Sequence, residues 1–249
     1  MTNLPRAILF DLDDTILSAY GQPELAWKTV VGEFSDQLEN FDTDDLVREI
    51  GIYAREFWSD ASQHKHWRLR LTEARRRIVA GGFERLSAKS GARPDDTIIH
   101  ALADRFSAFR EEEMKFFPGA CETLDKLKEL GVIMALITNG AAETQRAKVV
   151  RFGLEHRFDH IQIEGEHGFG KPEEQAYRHA LSVLDVAPEE TWMVGDNLEW
   201  EIAAPQRLGI CGIWHDPHRM GLPASSEVKP DRIIHALPEL LPDDIRKTI

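Results

Sequence analysis

The sequence predicts an α/β protein, a parallel sheet with helices on both faces, and three observations lead there. From Phe117 onward, short apolar runs alternate with helical stretches, the order that builds parallel sheets. A further apolar run, Ala7–Phe10, stands alone near the N-terminus and reads as a buried strand. Between the two lies a long stretch of purely helical periodicity, which predicts an all-helical domain inserted after the first strand.

The elements follow in order. After Ala7–Phe10 comes Asp11-Leu12-Asp13-Asp14-Thr15, with three carboxylates in four residues. Crowded carboxylates repel and lose hydration near a sheet, so such a cluster suits a hard cation with oxygen ligands; the alternative is a solvated acidic turn. It is not an EF-hand, because Ile16 and Gln22 stand where that loop needs Gly and Glu. Helical stripes then run through Leu25, Val30 and Phe34; through Leu46, Ile50, Tyr53 and Phe57; through Leu71, Ala74 and Ile78; and through Leu102, Phe106 and Phe109, the last after a Pro94-Asp95-Asp96 start. Helix breaks are expected near Asn40-Phe41-Asp42, at Gly81-Gly82 and around Gly91–Pro94.

Beyond Phe117 a helix carries Leu124, Leu127 and Leu130, with Gly131 at its C-terminal cap. The strand Val132–Ile137 ends in Thr138-Asn139-Gly140. A helix through Ala147 and Val150 leads to a short strand at Ile161–Ile163, and Gly170-Lys171-Pro172 opens a helix with Tyr177, Leu181 and Leu184 on one face. The strand Thr191–Val194 ends in Gly195-Asp196-Asn197; Cys211–Trp214 and Arg232–Ile234 are later strands. In such sheets ligands bind beyond the carboxyl ends of the strands. Asp11, Asp13, Thr138, Asn139, Lys171 and Asp196 all fall on that edge.

Composition narrows the function. A net charge of −13 over 249 residues argues against nucleic-acid and anionic-membrane partners. No apolar run reaches the ~20 residues of a membrane helix, and the N-terminus carries no signal-peptide core, so a cytoplasmic protein is expected. Cys121 and Cys211 lie far apart, outside any metal or redox spacing, and read as reduced core residues.

The edge residues define a chemistry. Asp11 is placed as a nucleophile toward phosphorus, giving an aspartyl-phosphate. Mg²⁺, held by Asp11, Asp196 and the Asp13 carbonyl, would offset the charge of the two anions that must meet. Asp13, two residues on, is placed as general acid and then base. Thr138 and the Asn139 and Gly140 N–H groups would receive phosphate oxygens, and Lys171 would add a positive charge beside them.

These elements together resemble the haloacid dehalogenase superfamily. Its DxDx[TV] motif is matched by Asp11–Thr15, its strand-end Ser/Thr by Thr138, its Lys by Lys171-Pro172, and its GD-containing acidic motif by Gly195–Glu201. The resemblance implies a Rossmann-like core at residues 1–17 and 113–249, with a helical cap at 18–112 that closes over the site and selects substrates. Asp13 places the chain on the phosphatase branch, acting on small nucleoside or sugar monophosphates with Mg²⁺. A phosphomutase of the same superfamily is the runner-up reading; a 2-haloacid dehalogenase lacks the acid at position 13, and a non-catalytic binder needs no nucleophile. The chain departs from the family at the last acid, usually Asp. Glu201 is taken as the metal residue there, with Glu199 the alternative.

Residues 64–93 hold nine Lys and Arg against Glu73 and Glu84. They read either as a solvated face or as a surface steering an anionic substrate, with Trp67, Arg68 and Arg75 the candidate contacts. The pairs His64/His66, His156/His160 and His215/His218 show no third ligand, so no zinc site is expected.

Overall fold

A computed structural model describes residues 4–18, 23–91 and 93–246. The chain divides into two compact units: one runs to residue 18 and resumes at 115, and the other lies between.

In chain order, β1 is Ala7–Phe10 and β2 is Leu17–Ser18. The helices α1 (Pro23–Glu33), α2 (Thr43–Ser59), α3 (Ala61–Arg68), α4 (Leu71–Ser90) and α5 (Asp96–Glu113) follow. Then come β3 (Lys115–Phe116), α6 (Ala120–Glu129), β4 (Ile133–Thr138), α7 (Ala142–Arg151), β5 (His160–Ile163), α8 (Glu164–His167) and α9 (Glu174–Leu184). The chain continues through β6 (Thr191–Gly195), a π-helical turn at Leu198–Ala203, β7 (Cys211–His215) and β8 (Arg232–Ile234).

The sheet unit holds six parallel strands in the order β5-β4-β1-β6-β7-β8. The chain builds outward from β1 on one side, then returns to build on the other, so β1 lies at the switch point where α/β sheets bind ligands. Ala7, Leu9, Ala135, Ile137 and Met193 pack beneath Tyr177, Ala180 and Leu181 of α9. The alternate residues Ile8, Phe10, Met134 and Leu136 are fully buried on the opposite face. Burial on both faces is why these strands read as continuous apolar runs.

β2 and β3 form an antiparallel pair, Leu17 opposite Phe116 and Ser18 opposite Lys115, through which the chain leaves and re-enters the sheet unit. Two residues per strand are too short for periodicity to register. The expected end of the insert at residue 112 falls inside α5.

The helical unit is built on α2, α4, α1 and α5. Trp27 stacks on Phe106 with ring centroids 3.6 Å apart, and Leu46, Ile50, Ile78, Val79, Phe83 and Leu102 complete its core. Asp42 caps α2 by accepting from the Asp45 N–H, and Asp95 caps α5 by accepting from the Thr97 N–H.

Several expectations are corrected here. Gly81-Gly82 does not break a helix; both lie inside α4. A Cβ on Gly82 would stand 2.6 Å from Ile50 Cγ1 and 3.0 Å from Ile50 Cα, and one on Gly81 would meet the Tyr53 ring at 2.3 Å. The glycines serve the close approach of α4 to α2 rather than a turn. Leu25, Leu130 and Val150 are exposed, so they are not core positions of their helices. Cys121 and Cys211 are free thiols and only half-buried. No helix among the described residues is long and apolar enough to cross a membrane.

Candidate active site

The parallel ladder brings Asp11 to its place. Phe10 is in register with Leu136 on one side and Val194 on the other, and the Asp11 N–H continues the ladder by donating to the Val194 carbonyl at 3.0 Å. Beyond it the chain folds tightly. The Ile16 and Leu17 N–H groups donate to the Leu12 carbonyl, and Asp14 takes a left-handed φ of 60°. His215 Nδ1–H, from the end of β7, donates to the Asp14 carbonyl at 3.2 Å. Thr15 Oγ1 donates to Asp11 Oδ2 at 3.1 Å.

Lys171 lies fully buried between two carboxylates. Its Nζ is 2.5 Å from Asp11 Oδ1 and 2.7 Å from Glu201 Oε1. Asn139 holds this lysine by its backbone, accepting from the Lys171 N–H at 2.8 Å and donating to the Lys171 carbonyl at 2.7 Å. Burial alone would push the ammonium down, but Asp11 and Glu201 hold it above its ordinary range.

Glu201 reaches Lys171 because the turn after β6 curls back. Its second carboxylate oxygen accepts from the Asn197 N–H at 2.8 Å, and a Cβ on Gly195 would lie 2.0 Å from Glu201 Cγ. Only glycine leaves room for this side chain. Glu199 is instead exposed and pairs with Arg207. Of the two acids expected at the metal, Glu201 is the one turned inward, and its two oxygens meet Lys171 and the Asn197 N–H.

One buried lysine does not balance the acids around it. Burial pushes the Asp11 carboxyl up, against the pull of Lys171 and with the help of Asp13. Burial pushes Glu201 up to about 7, also against Lys171. Half-buried Asp196 is pushed well up by burial and by the charges of Glu201, Asp11 and Asp14. Such a set of hard oxygen donors with surplus negative charge fits a divalent cation of the Mg²⁺ type, with Asp11 and Asp196 as its carboxylates. Trp214 Nε1 donates to the Asp196 carbonyl at 2.7 Å and fixes that residue's backbone.

A second network surrounds Asp13. Lys148 Nζ is 2.7 Å from both Asp13 carboxylate oxygens. Gln145 Nε2 lies within 3.0 Å of Asp13 Oδ2, 2.5 Å of Thr138 Oγ1 and 2.9 Å of the Asn139 carbonyl. Neither residue is a candidate in the sequence, where only Ala147 and Val150 mark this helix. The buried face is Gln145, Lys148 and Val149. Their i, i+3 spacing just after a strand-end Thr was the available signal.

The structure departs from expectation at Gly140. Its N–H donates to the buried Glu164 carboxylate at 3.0 Å, so this group anchors the loop and is not a free donor.

In the helical unit, Trp67 is buried against Phe57, with the Arg77 guanidinium 4.7 Å above its ring. Arg75 lies over the Phe106 ring at 6.0 Å. Much of the basic segment is paired within its own unit by acids outside the 64–93 window. Arg76 binds Asp104, Arg85 binds Glu49 and Glu56, and Arg93 binds Asp96.

A doubly wound sheet with a buried carboxylate–lysine pair and surplus acids at its switch point defines an α/β core with a charged, solvent-excluded site. The chain belongs to the haloacid dehalogenase-like hydrolases: that family's model matches residues 5–209. It is 32% identical to the phosphoserine phosphatase of Thermus thermophilus, over 94% of this chain and 97% of that protein. It is 33% identical to the ribulose-1,5-bisphosphate 5-phosphatase of Halopiger xanaduensis, over 85% and 84%. Among solved structures it resembles the putative HAD-hydrolase YfnB of Bacillus subtilis, a magnesium-bound form, with a TM-score of 0.70, 25% identity and coverage of 96% and 97%.

Proposed function

We propose that this protein is a Mg²⁺-dependent phosphatase that hydrolyses a small phosphorylated metabolite through an aspartyl-phosphate on Asp11. The observation that carries the reading is the buried Asp11–Lys171–Glu201 array, with the charges of Asp196 and Asp13 acting on it. The family membership and the phosphatase relatives support it.

Asp11 attacks phosphorus, forming an O–P bond as the ester O–P bond breaks. Asp13 enters this step as its carboxylic acid, protonated as the Lys148 contact loosens, and gives that proton to the departing alcohol oxygen. Water then attacks the aspartyl-phosphate, Asp13 takes the water's proton, and phosphate leaves. Lys171 keeps positive charge against Asp11 as negative charge moves onto the phosphoryl oxygens. Glu201, pinned to the Asn197 N–H, keeps Lys171 aimed. Thr138 offers its hydroxyl to a phosphate oxygen, with Gln145 holding it in place. Lys148 and Gln145 fix the Asp13 carboxylate so that it faces the leaving group in one orientation. Bound at Asp11 and Asp196, the cation would neutralise charge on the nucleophile and the phosphate.

The test is phosphate release from phosphoserine, triose phosphates, and sugar and nucleoside monophosphates, with Mg²⁺ or with EDTA. We expect metal-dependent turnover that falls by about 10⁴-fold or more in Asp11→Asn, on the scale of losing a covalent nucleophile. A folded, Mg²⁺-loaded wild type that releases phosphate from none of these esters would overturn the reading.

A further inference from the structure

Three histidines of the sheet unit meet at its β5 edge. His160 opens edge strand β5, His167 ends α8 and His179 lies in α9. One side-chain nitrogen of each lies within 4.8 Å of one from each of the others. Their rings are in mutual contact, with centroids 5.1 to 6.2 Å apart, and Phe169 packs against two of them.

The hydrogen bonds around the cluster determine which nitrogens carry lone pairs. His167 Nδ1–H donates to the Ile163 carbonyl at 3.1 Å. Gln162 Nε2 donates to the Ala176 carbonyl at 2.9 Å, which turns Gln162 Oε1 toward His179. His179 Nδ1–H therefore donates to that oxygen at 2.8 Å. In both rings the proton sits on Nδ1, and Nε2 is left with a lone pair. His160 Nε2 is buried with no hydrogen-bond partner. An imidazole whose far N–H is held by a carbonyl is the arrangement found behind metal-ligating histidines.

We propose that His160, His167 and His179 form a three-histidine site for a transition-metal dication of the Zn²⁺ class. Imidazole donors suit Zn²⁺, Co²⁺ and Ni²⁺, whereas the Asp11–Asp196 site offers the oxygen donors that suit Mg²⁺. Tetrahedral coordination at Zn–N of about 2.0 Å places ligand nitrogens about 3.3 Å apart, so the rings need only close inward by side-chain rotation. The fourth position is left to water. The ligands bracket Gly170–Glu173, the segment that carries Lys171, so an ion here would tie that loop to the sheet edge. The site stands whether or not the phosphatase reading does.

The test is Zn²⁺ binding to untagged, chelator-stripped protein by titration calorimetry with Mg²⁺ present, with Co²⁺ absorption as a second readout. The expected result is one Zn²⁺ equivalent in the wild type that weakens at least about tenfold in His179→Gln and in His167→Gln, and that Asp196→Asn retains. Co²⁺ should give the visible bands of a nitrogen-ligated ion in the wild type and not in the histidine variants. Circular dichroism confirms that each variant is folded; an unfolded variant is replaced by His160→Gln. Unchanged Zn²⁺ stoichiometry and affinity in two folded histidine variants, or no Zn²⁺ bound by the wild type, would overturn the proposal.

Discussion

The two units of this chain bury charge in opposite ways. The sheet unit draws Lys171, Asp11, Glu201 and Glu164 into its interior at the ends of its strands, and Lys171 has no exposed surface. The helical unit keeps an apolar interior, Trp27, Ile50, Phe83 and Phe106 among its members, and pairs its cations near the surface. Among the described residues its exception is Glu49, buried and held by Arg85. Taking charge from water is costly unless each ion is paired and hydrogen-bonded. The sheet unit bears that cost where strand ends converge and chemistry needs a dry, charged site. The helical unit has no such convergence and folds by packing.

The largest expected effect comes from breaking the buried array. Lys171→Met should lower kcat/KM about 10³-fold and destabilise the sheet unit by about 3 kcal/mol, because Asp11 and Glu201 lose their shared counter-charge. Steady-state kinetics and urea unfolding would show it. Near-wild-type turnover would mean that the array is structural.

The next effect follows pH. Burial holds the His215 pKa down at about 4. Between that value and about 6.5, the unfolded chain binds a proton that the folded chain refuses. Stability should therefore fall as pH drops through this window, with His215 contributing up to about 3 kcal/mol by pH 4. His215→Asn keeps an N–H for the Asp14 carbonyl and should flatten the slope of urea midpoint against pH. An identical slope in the variant would assign the acid sensitivity to other groups.

In the helical unit the sensitive positions are steric. Gly82→Ala drives a Cβ into Ile50, where the backbone itself is 3.0 Å away. It should cost about 2 kcal/mol by urea unfolding, in spite of alanine's better helix propensity. A stabilised variant would show that α2 and α4 do not need the close approach. The smallest effect belongs to the exposed pairs: Arg76→Ala, which frees Asp104, should leave the melting temperature within error. A clear drop would make that charge pair part of the fold's stability and blur the contrast between the units.

How much of this was legible varies with the kind of signal. Asp11, Lys171 and Asp196 could be read because each follows a strand or opens a helix, and apolar runs mark strands. Glu201 could be named but not separated from Glu199, since only the curl of the turn past Gly195 decides which side chain goes inward. Gln145 and Lys148 escaped notice because buried polar residues do not stand out in a hydrophobic pattern. Gly81-Gly82 looked like a break because the partner that requires them, Ile50 and Tyr53, is some thirty residues away. The charge bias of 64–93 looked uncompensated for the same reason, its partners Glu49, Glu56 and Asp104 lying outside the window.

The sequence by itself determined the alternation of elements, the insertion of a helical unit after the first strand, and the acids and lysine at the strand ends, because these depend on local periodicity and on position along the chain. The tertiary structure decided which polar side chains meet: Lys148 with Asp13, Glu164 with Gly140, and His160 with His167 and His179. Those meetings depend on strand order and on how far each turn curls, and long-range geometry of that kind leaves no mark in the spacing of neighbouring residues.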